Sequence, residues 1–203
     1  MSPARPPTSP STRGDQPIPP VAHPAAVDLR PFMAAFPTGV AVITSFDAAG
    51  RPWGMTCTSL CSISLDPASL VVSLRSASPT LGAVRAHGGF ALNLLHDRAQ
   101  ATSQRFSSGD PERFDTTDWD IPPLARGPHL ITDAHATADC VLLSTTVIGD
   151  HTAAFAEVKR VVTRDLAPAP LLYGLRRYAR WPVPAAAVTE SDRHTNRLTP
   201  SNP

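Results

Sequence analysis

Lysine is nearly absent from this chain. Lys159 is the single one among 203 residues, and arginine carries almost all of the positive charge. Charged residues of either sign are scarce, at 17%, and the formal net charge is +1. Binding a nucleic acid requires a concentrated basic face, so this balance speaks against that class of partner. Cysteine is scarce too. Cys57, Cys61 and Cys140 are odd in number and form no disulfide framework. Cys57 and Cys61 have the spacing to share one face of a strand, but no second Cys/His pair completes a zinc site, and both read as small buried apolar residues. His87, His96, His129 and His135 share no ligand spacing, so no metal is expected. No apolar run reaches the roughly 18 residues that cross a bilayer, and the start of the chain has no apolar signal segment. A soluble cytoplasmic protein without a membrane partner is the expectation. No GxGxxG follows the first strand, which argues against a Rossmann dinucleotide site. No GxSxG is present, and Asp150 and His151, as neighbours in a strand, would point apart, which argues against a Ser-His-Asp hydrolase.

Proline, by contrast, is plentiful and concentrated. Eight of the 23 prolines fall in residues 1–27, among almost no large apolar side chains. Such a segment buries too little surface to order itself, and 183–203 has the same character. The expected organisation is a tail over 1–27, one folded domain over 28–182 and a second tail over 183–203.

Inside that domain the turn signals are dense. A short helix is expected over 29–36, capped by Asp28, with Pro31 in its first turn. Strands are expected over 39–46, 53–65 and 69–75, separated by "DAAGRP" and "DPA". Ser78 and Pro79 open a helix through His87. A strand follows over 88–95, then a helix over 97–106 and a loop or short helix over 110–119. Long strands over 134–149 and 150–164 come next, and 170–181 closes the domain. Strands joined by tight turns, with helices only as inserts, make a mainly β, largely antiparallel barrel.

Three stretches carry candidate chemistry. In "GMTCTSLCSISLDPASLVVSL" (54–74) hydroxyls stand where a core strand would carry Val and Ile. Thr56, Thr58, Ser62 and Ser64 fall on one strand face, while Met55, Cys57, Cys61, Ile63 and Leu65 fall on the other. A row of short hydroxyls lets a flat ligand approach the backbone. It is equally the pattern of an exposed Thr/Ser-rich strand. "SLRSASPT" (73–80) gathers hydroxyls and Arg75 before a helix start, as an anion site or as ordinary capping. "GDHT" (149–152) puts an imidazole at a sheet rim, or is simply a hairpin turn.

Taken in order, these pieces resemble the flavin reductase-like family with the FMN-binding split-barrel fold. The resemblance runs over about residues 29–181 through "FPTGVAVITSFDAAGRPWGMTCTSLCSISLDPASLVVSL", "SPT", "GGFALNLL", the "RF" pairs at 105–106 and 113–114, "GDHT" and "PLLYGLRRY". It implies an antiparallel split β-barrel. It also implies an enzyme that passes hydride from NADH or NADPH to FMN or FAD and supplies reduced flavin to a partner monooxygenase. A flavoprotein that holds FMN tightly for electron transfer is the alternative. By resemblance, Thr56, Cys57, Thr58 and Ser59 line the isoalloxazine edge, and Ser73, Arg75, Ser78 and Thr80 lie near the ribityl chain and phosphate. Phe106 lies near the ring or a dimer interface. His151, the catalytic candidate, stands with Gly149 and Asp150 on the nicotinamide side, and Arg177 and Tyr178 close on the site. A homodimer is implied. Thr58 stands where the family often has Asn or Ser, and "DPA" where it often has "DPP".

Overall fold

The computed structural model describes residues 27–164 and 169–182. The expected tails, 1–27 and 183–203, therefore lie outside the described residues, apart from Val27. Among the described residues three short helices, α1 (Arg30–Ala34), α2 (Pro79–His87) and α3 (Gln100–Ser108), interrupt twelve strands. Every strand pairing among the described residues is antiparallel.

The main sheet has seven strands in the order β3 (Pro52–Cys57), β2 (Ala41–Phe46), β6 (Gly89–Leu95), β9 (Ala134–Ile148), β10 (His151–Thr163), β5 (Ala68–Arg75) and β4 (Leu60–Leu65). β2 is buried on both faces. Ala41 and Ile43 join one apolar cluster with Val72, Leu74, Phe90 and Leu92, and Val42 joins another with Phe106, Leu130 and Leu171. A strand in that position has to read as a continuous apolar run, as "AVITSF" nearly does. α2 covers the first cluster through Leu81 and Val84, and α3 covers the second through Phe106. β1 (Thr38–Gly39), β11 (Leu171–Gly174) and β12 (Arg177–Arg180) form a small sheet, and β7 (Trp119–Asp120) pairs with β8 (His129–Leu130).

Two expected strands turn out to be broken. The one expected over 39–46 starts as β1 on β11 and restarts beyond Val40 as β2 on β3 and β6. The one expected over 53–65 splits at Thr58 and Ser59, and its halves lie at opposite ends of the seven-strand order. Two residues joining the two terminal strands require the sheet to curl until those strands come close. The Ser73 amide then donates to the Ser59 carbonyl at 3.0 Å.

The same break corrects the expected two-faced strand. Met55 and Cys57 pack on the core, but Cys61, Ile63 and Leu65 belong to β4 and are exposed, Leu65 at 91%. Cys57 and Cys140 are buried as expected, and burial pushes their thiols up to about 11 and about 12, so neither is a thiolate at neutral pH. β7 and β8 were not anticipated, because two-residue strands carry no periodicity. The long β9–β10 hairpin and α2 fall where expected. Ser78 precedes α2 but does not cap it with its side chain; its Oγ donates to Met55 Sδ at 3.3 Å instead.

Candidate functional site

Among the described residues β3 has one neighbour in the sheet, β2, which leaves the amides along its outer edge free to meet a ligand. Three depressions follow one another from this edge. The first, about 960 Å³, lies between β3, the start of α2 and the loop after α3. The second, about 700 Å³, lies between Thr56 and Thr58, α3 and the β11–β12 hairpin. The third, about 830 Å³, lies between α1, the Thr58–Cys61 segment and β5. Thr56 and Ser107 border the first two, and Thr58, Tyr173 and Arg176 border the last two.

Gly54 allows the first depression to form. A Cβ there would meet Phe106 Cε1 at 2.8 Å, so the ring and the strand approach closely only because the side chain is missing. Phe106 is itself 2% exposed and packs edge-on against Phe114, with centroids 5.1 Å apart. Its ring is part of the floor of the depression more than a free face for stacking. Thr56 Oγ1 donates to the Ser103 carbonyl at 2.6 Å, and Ser103 Oγ hydrogen-bonds the Tyr178 hydroxyl at 2.9 Å. This chain ties β3, α3 and β12 together. It commits the Thr56 hydroxyl proton to protein and leaves its lone pairs to a ligand.

The residues singled out in the sequence divide among the depressions. Thr56, Arg75, Ser78, Thr80 and Phe106 border the first, and Thr56, Thr58, Arg177 and Tyr178 the second. Ser59 and Ser73 border the third with Thr58. Ser73 thus parts from Arg75, Ser78 and Thr80, because the Thr58–Ser59 crossover meets β5 at Ser73. The Cys57 side chain faces the core and takes no part. Of the hydroxyl row, Ser62 and Ser64 go with β4; Ser64 Oγ hydrogen-bonds Asp66 in its own turn, so the row shortens to its first half.

His151 borders none of the three depressions. It pairs across the sheet with Arg75, which does, and the Ser76 amide donates to the Asp150 carbonyl at 2.9 Å. "GDHT" is therefore beside the rim of the first depression. Gly149 turns the hairpin at φ 61°. Asp150 and His151 do not point apart as expected. Asp150 belongs to the turn and not to the strand, so His151 Nδ1–H donates to its Oδ1 at 2.8 Å. That hydrogen bond, with the charge of the ring, holds the Asp150 carboxyl below the usual range. It orients the imidazole and leaves Nε2 outward.

Sequence reasoning missed Trp53, Ser103 and the role of Arg113. Trp53 Nε1 donates to Asp47 at 2.9 Å, and the guanidinium carbons of Arg51 and Arg113 lie 4.9 and 5.7 Å from its ring centre. Arg113 was visible only as part of the second "RF" pair. Among the described residues no group of three or more His, Cys, Asp or Glu side chains is placed to hold a metal ion.

This arrangement suits a long, flat, anionic molecule, with hydroxyls and strand-edge amides along its length and guanidinium groups at its ends. Comparison with known proteins agrees. Residues 33–182 match the family model described as flavin reductase like domain. The chain is 50% identical over 163 residues to flavin reductase (NADPH) of Lentzea aerocolonigenes, covering 80% of this chain and 94% of that protein. It resembles the NADH:FAD oxidoreductase of Streptomyces globisporus, solved with NAD and FAD fragments, at TM-score 0.71 and 27% identity, over 77% of this chain and 93% of that one. It also resembles the styrene monooxygenase flavin reductase of Pseudomonas putida S12 at TM-score 0.69 and 33% identity, over 77% of this chain and 99% of that one.

Proposed function

This chain belongs to the flavin reductase-like family, and from that membership we infer that it is an NAD(P)H:flavin oxidoreductase that supplies reduced flavin to a partner monooxygenase. The observation that carries the reading is the set of three adjoining depressions that begins at the outer edge of β3 and continues past Thr58 and Ser59 to α1 and β5. The curled antiparallel sheet, with its terminal strands joined through Thr58 and Ser59, is read as the split barrel of the family.

The residues present fit a flavin. Thr56, Thr58 and Ser59 offer short polar groups beside a strand edge, where a ring can approach the backbone. Arg75, Ser78 and Thr80 offer a cation and hydroxyls at the start of α2 for a phosphate. When both nucleotides are bound, the chemistry is transfer of a hydride from the reduced nicotinamide to the flavin, and the cofactors carry it. The chain contributes binding and orientation. Its edge amides are preorganised donors for a ring that gains negative charge, a contribution of about 3 kcal/mol for each donor in comparable sites. His151, oriented by Asp150 and adjacent to Arg75, positions the nicotinamide. It need not move a proton, because hydride transfer requires no general base. Arg177 and Tyr178 close the second depression from β12.

The protein acts as a homodimer. Phe32 of α1, Phe36 just beyond its end, and Ile63 and Leu65 of β4 are 73%, 61%, 54% and 91% exposed, and α1 and β4 flank the third depression. The cysteines Cys57, Cys61 and Cys140 are free, in keeping with the reducing cytoplasm expected for it.

The test is anaerobic mixing of the protein with NADH or NADPH, with and without added FMN or FAD, following nicotinamide oxidation and flavin bleaching. Turnover that requires and scales with added flavin supports the reductase. A yellow preparation that neither nucleotide bleaches supports the tightly bound FMN alternative. No nicotinamide oxidation under any combination overturns the assignment.

A further inference from the structure

Arg113 is 8% exposed, and it borders the first depression. Its surroundings leave it incompletely satisfied. One Nη donates to the Asp110 carbonyl, while Nε–H is buried with no acceptor. Among the described residues no carboxylate forms an ion pair with it; the Asp110 carboxylate helps only at longer range. A guanidinium taken out of water without a counter-charge is costly, and an anion arriving beside it offsets that cost. Its neighbour Arg51 differs: Asp47 already pairs with it, at 3.2 Å, while also accepting from Trp53 Nε1. The uncompensated charge at this corner is that of Arg113.

The position of the corner matters as much as its charge. Ser78, at the α2 end of the depression, touches Met55, whereas Arg113 and Arg51 lie against the Trp53 ring. Trp53 and Met55 are two residues apart on one face of β3, or about 7 Å along the strand. The depression therefore has two separate cationic loci. Arg75, Ser78 and Thr80 make one, and Arg113 makes the other. FMN has a single phosphate and fills one of them. A ligand that fills both has a second phosphate further along.

We propose that Arg113 binds the phosphate of an adenylate group, and that this group is the AMP half of FAD, making FAD the flavin this protein selects over FMN. The proposal rests on the flavin reductase reading above. The phosphate of a nucleotide is the shared chemistry, and the 2′-phosphate of NADPH is the other source of it.

Equilibrium binding separates these sources without any turnover. Fluorescence titration of the full chain with FAD and with FMN is expected to show FAD binding at least about tenfold tighter, the worth of one charge-assisted hydrogen bond. R113A is expected to weaken FAD by about ten- to hundredfold and FMN by no more than a few-fold. R113K is expected to fall between, because it keeps the charge but loses the planar fork. Equal affinity of the unmodified protein for the two flavins overturns the proposal, and that measurement needs no variant to fold. Equal loss of both flavins in R113A overturns it too, because Arg113 then holds the phosphate common to both. A flavin preference unchanged in R113A makes the residue a structural partner of Trp53. Weakened NADPH binding with NADH and FAD unaffected assigns the corner to the 2′-phosphate and removes FAD from it. Absence of nicotinamide oxidation with every flavin would sink the reductase reading instead, and the binding titration stays interpretable on its own.

Discussion

At the scale of single residues, His151 and Asp139 carry opposite kinds of consequence. His151 is half-exposed at a rim, held by one hydrogen bond to Asp150. H151A should lower kcat/KM for the nicotinamide by up to about tenfold, a lost positioning contact, with flavin affinity unchanged. Unchanged nicotinamide kinetics in steady-state assays would remove His151 from the site. Asp139 is 1% exposed and has no part in the site. Burial raises its pKa, but hydrogen bonds from His129 Nε2, the Arg126 amide and Arg160 Nε, at 3.0, 2.8 and 2.8 Å, outweigh that and hold the carboxyl below its usual value. A folded pKa below the unfolded one means the stabilisation is complete above about pH 4 and disappears as pH falls through the depressed value. D139N should cost about 3 kcal/mol at pH 7, because it breaks a buried pair and leaves Arg160 uncompensated. Denaturant titration at pH 7 and pH 3 checks both statements: the gap between D139N and the unmodified protein should narrow at the lower pH.

At the scale of elements, the edge strand β3 is the part on which the site depends. It offers unpaired amides because it has one neighbour, and it meets α3 closely because residue 54 has no side chain. G54A should push Phe106 against Phe114, destabilise the fold by about 1–3 kcal/mol and distort the floor of the first depression. Thermal melting reads the first effect and flavin titration the second. A G54A protein with unaltered melting and flavin affinity would show that α3 shifts freely, contrary to the packing described. The Thr58–Ser59 crossover is the other decisive element. No periodicity marks it, since a strand that leaves one ladder and joins another keeps the same side-chain alternation. Asn93 illustrates the same point within β6. In "GFALNLL" it reads as a flaw in an apolar strand. In the fold its side chain donates toward Val42, Thr44 and Pro128 and accepts from Leu130 and Thr137, which fixes the 121–128 loop and β8 on the sheet.

At the scale of the whole molecule, the exposed apolar residues of α1 and β4 are a feature that a lone chain leaves unexplained. Sedimentation should give a dimer at micromolar concentration, and I63D combined with L65D should shift it toward monomer by placing charges in the seam. A monomeric unmodified protein would overturn the homodimer. Because the third depression borders α1 and β4, the same variant should also weaken flavin binding if the partner closes that end of the run.

Residues alone determined a good deal. They set the antiparallel character, the helix at Pro79–His87, the β9–β10 hairpin at Gly149 and Asp150, and the hydroxyls of Thr56, Thr58 and Ser59 that border the candidate site. Each of these is local: alternation, a proline at a helix start, a turn glycine, a run of small polar side chains. Only the tertiary structure decided which strand edge stays open, that Ser62 and Ser64 leave the hydroxyl row, and that Asp150 bonds to His151 instead of diverging from it. It alone turned Arg113 from one arginine among many into a buried, uncompensated charge facing a cavity. These outcomes depend on which distant segments meet. Burial and unpaired charge are properties of that meeting, and no spacing along the chain records them.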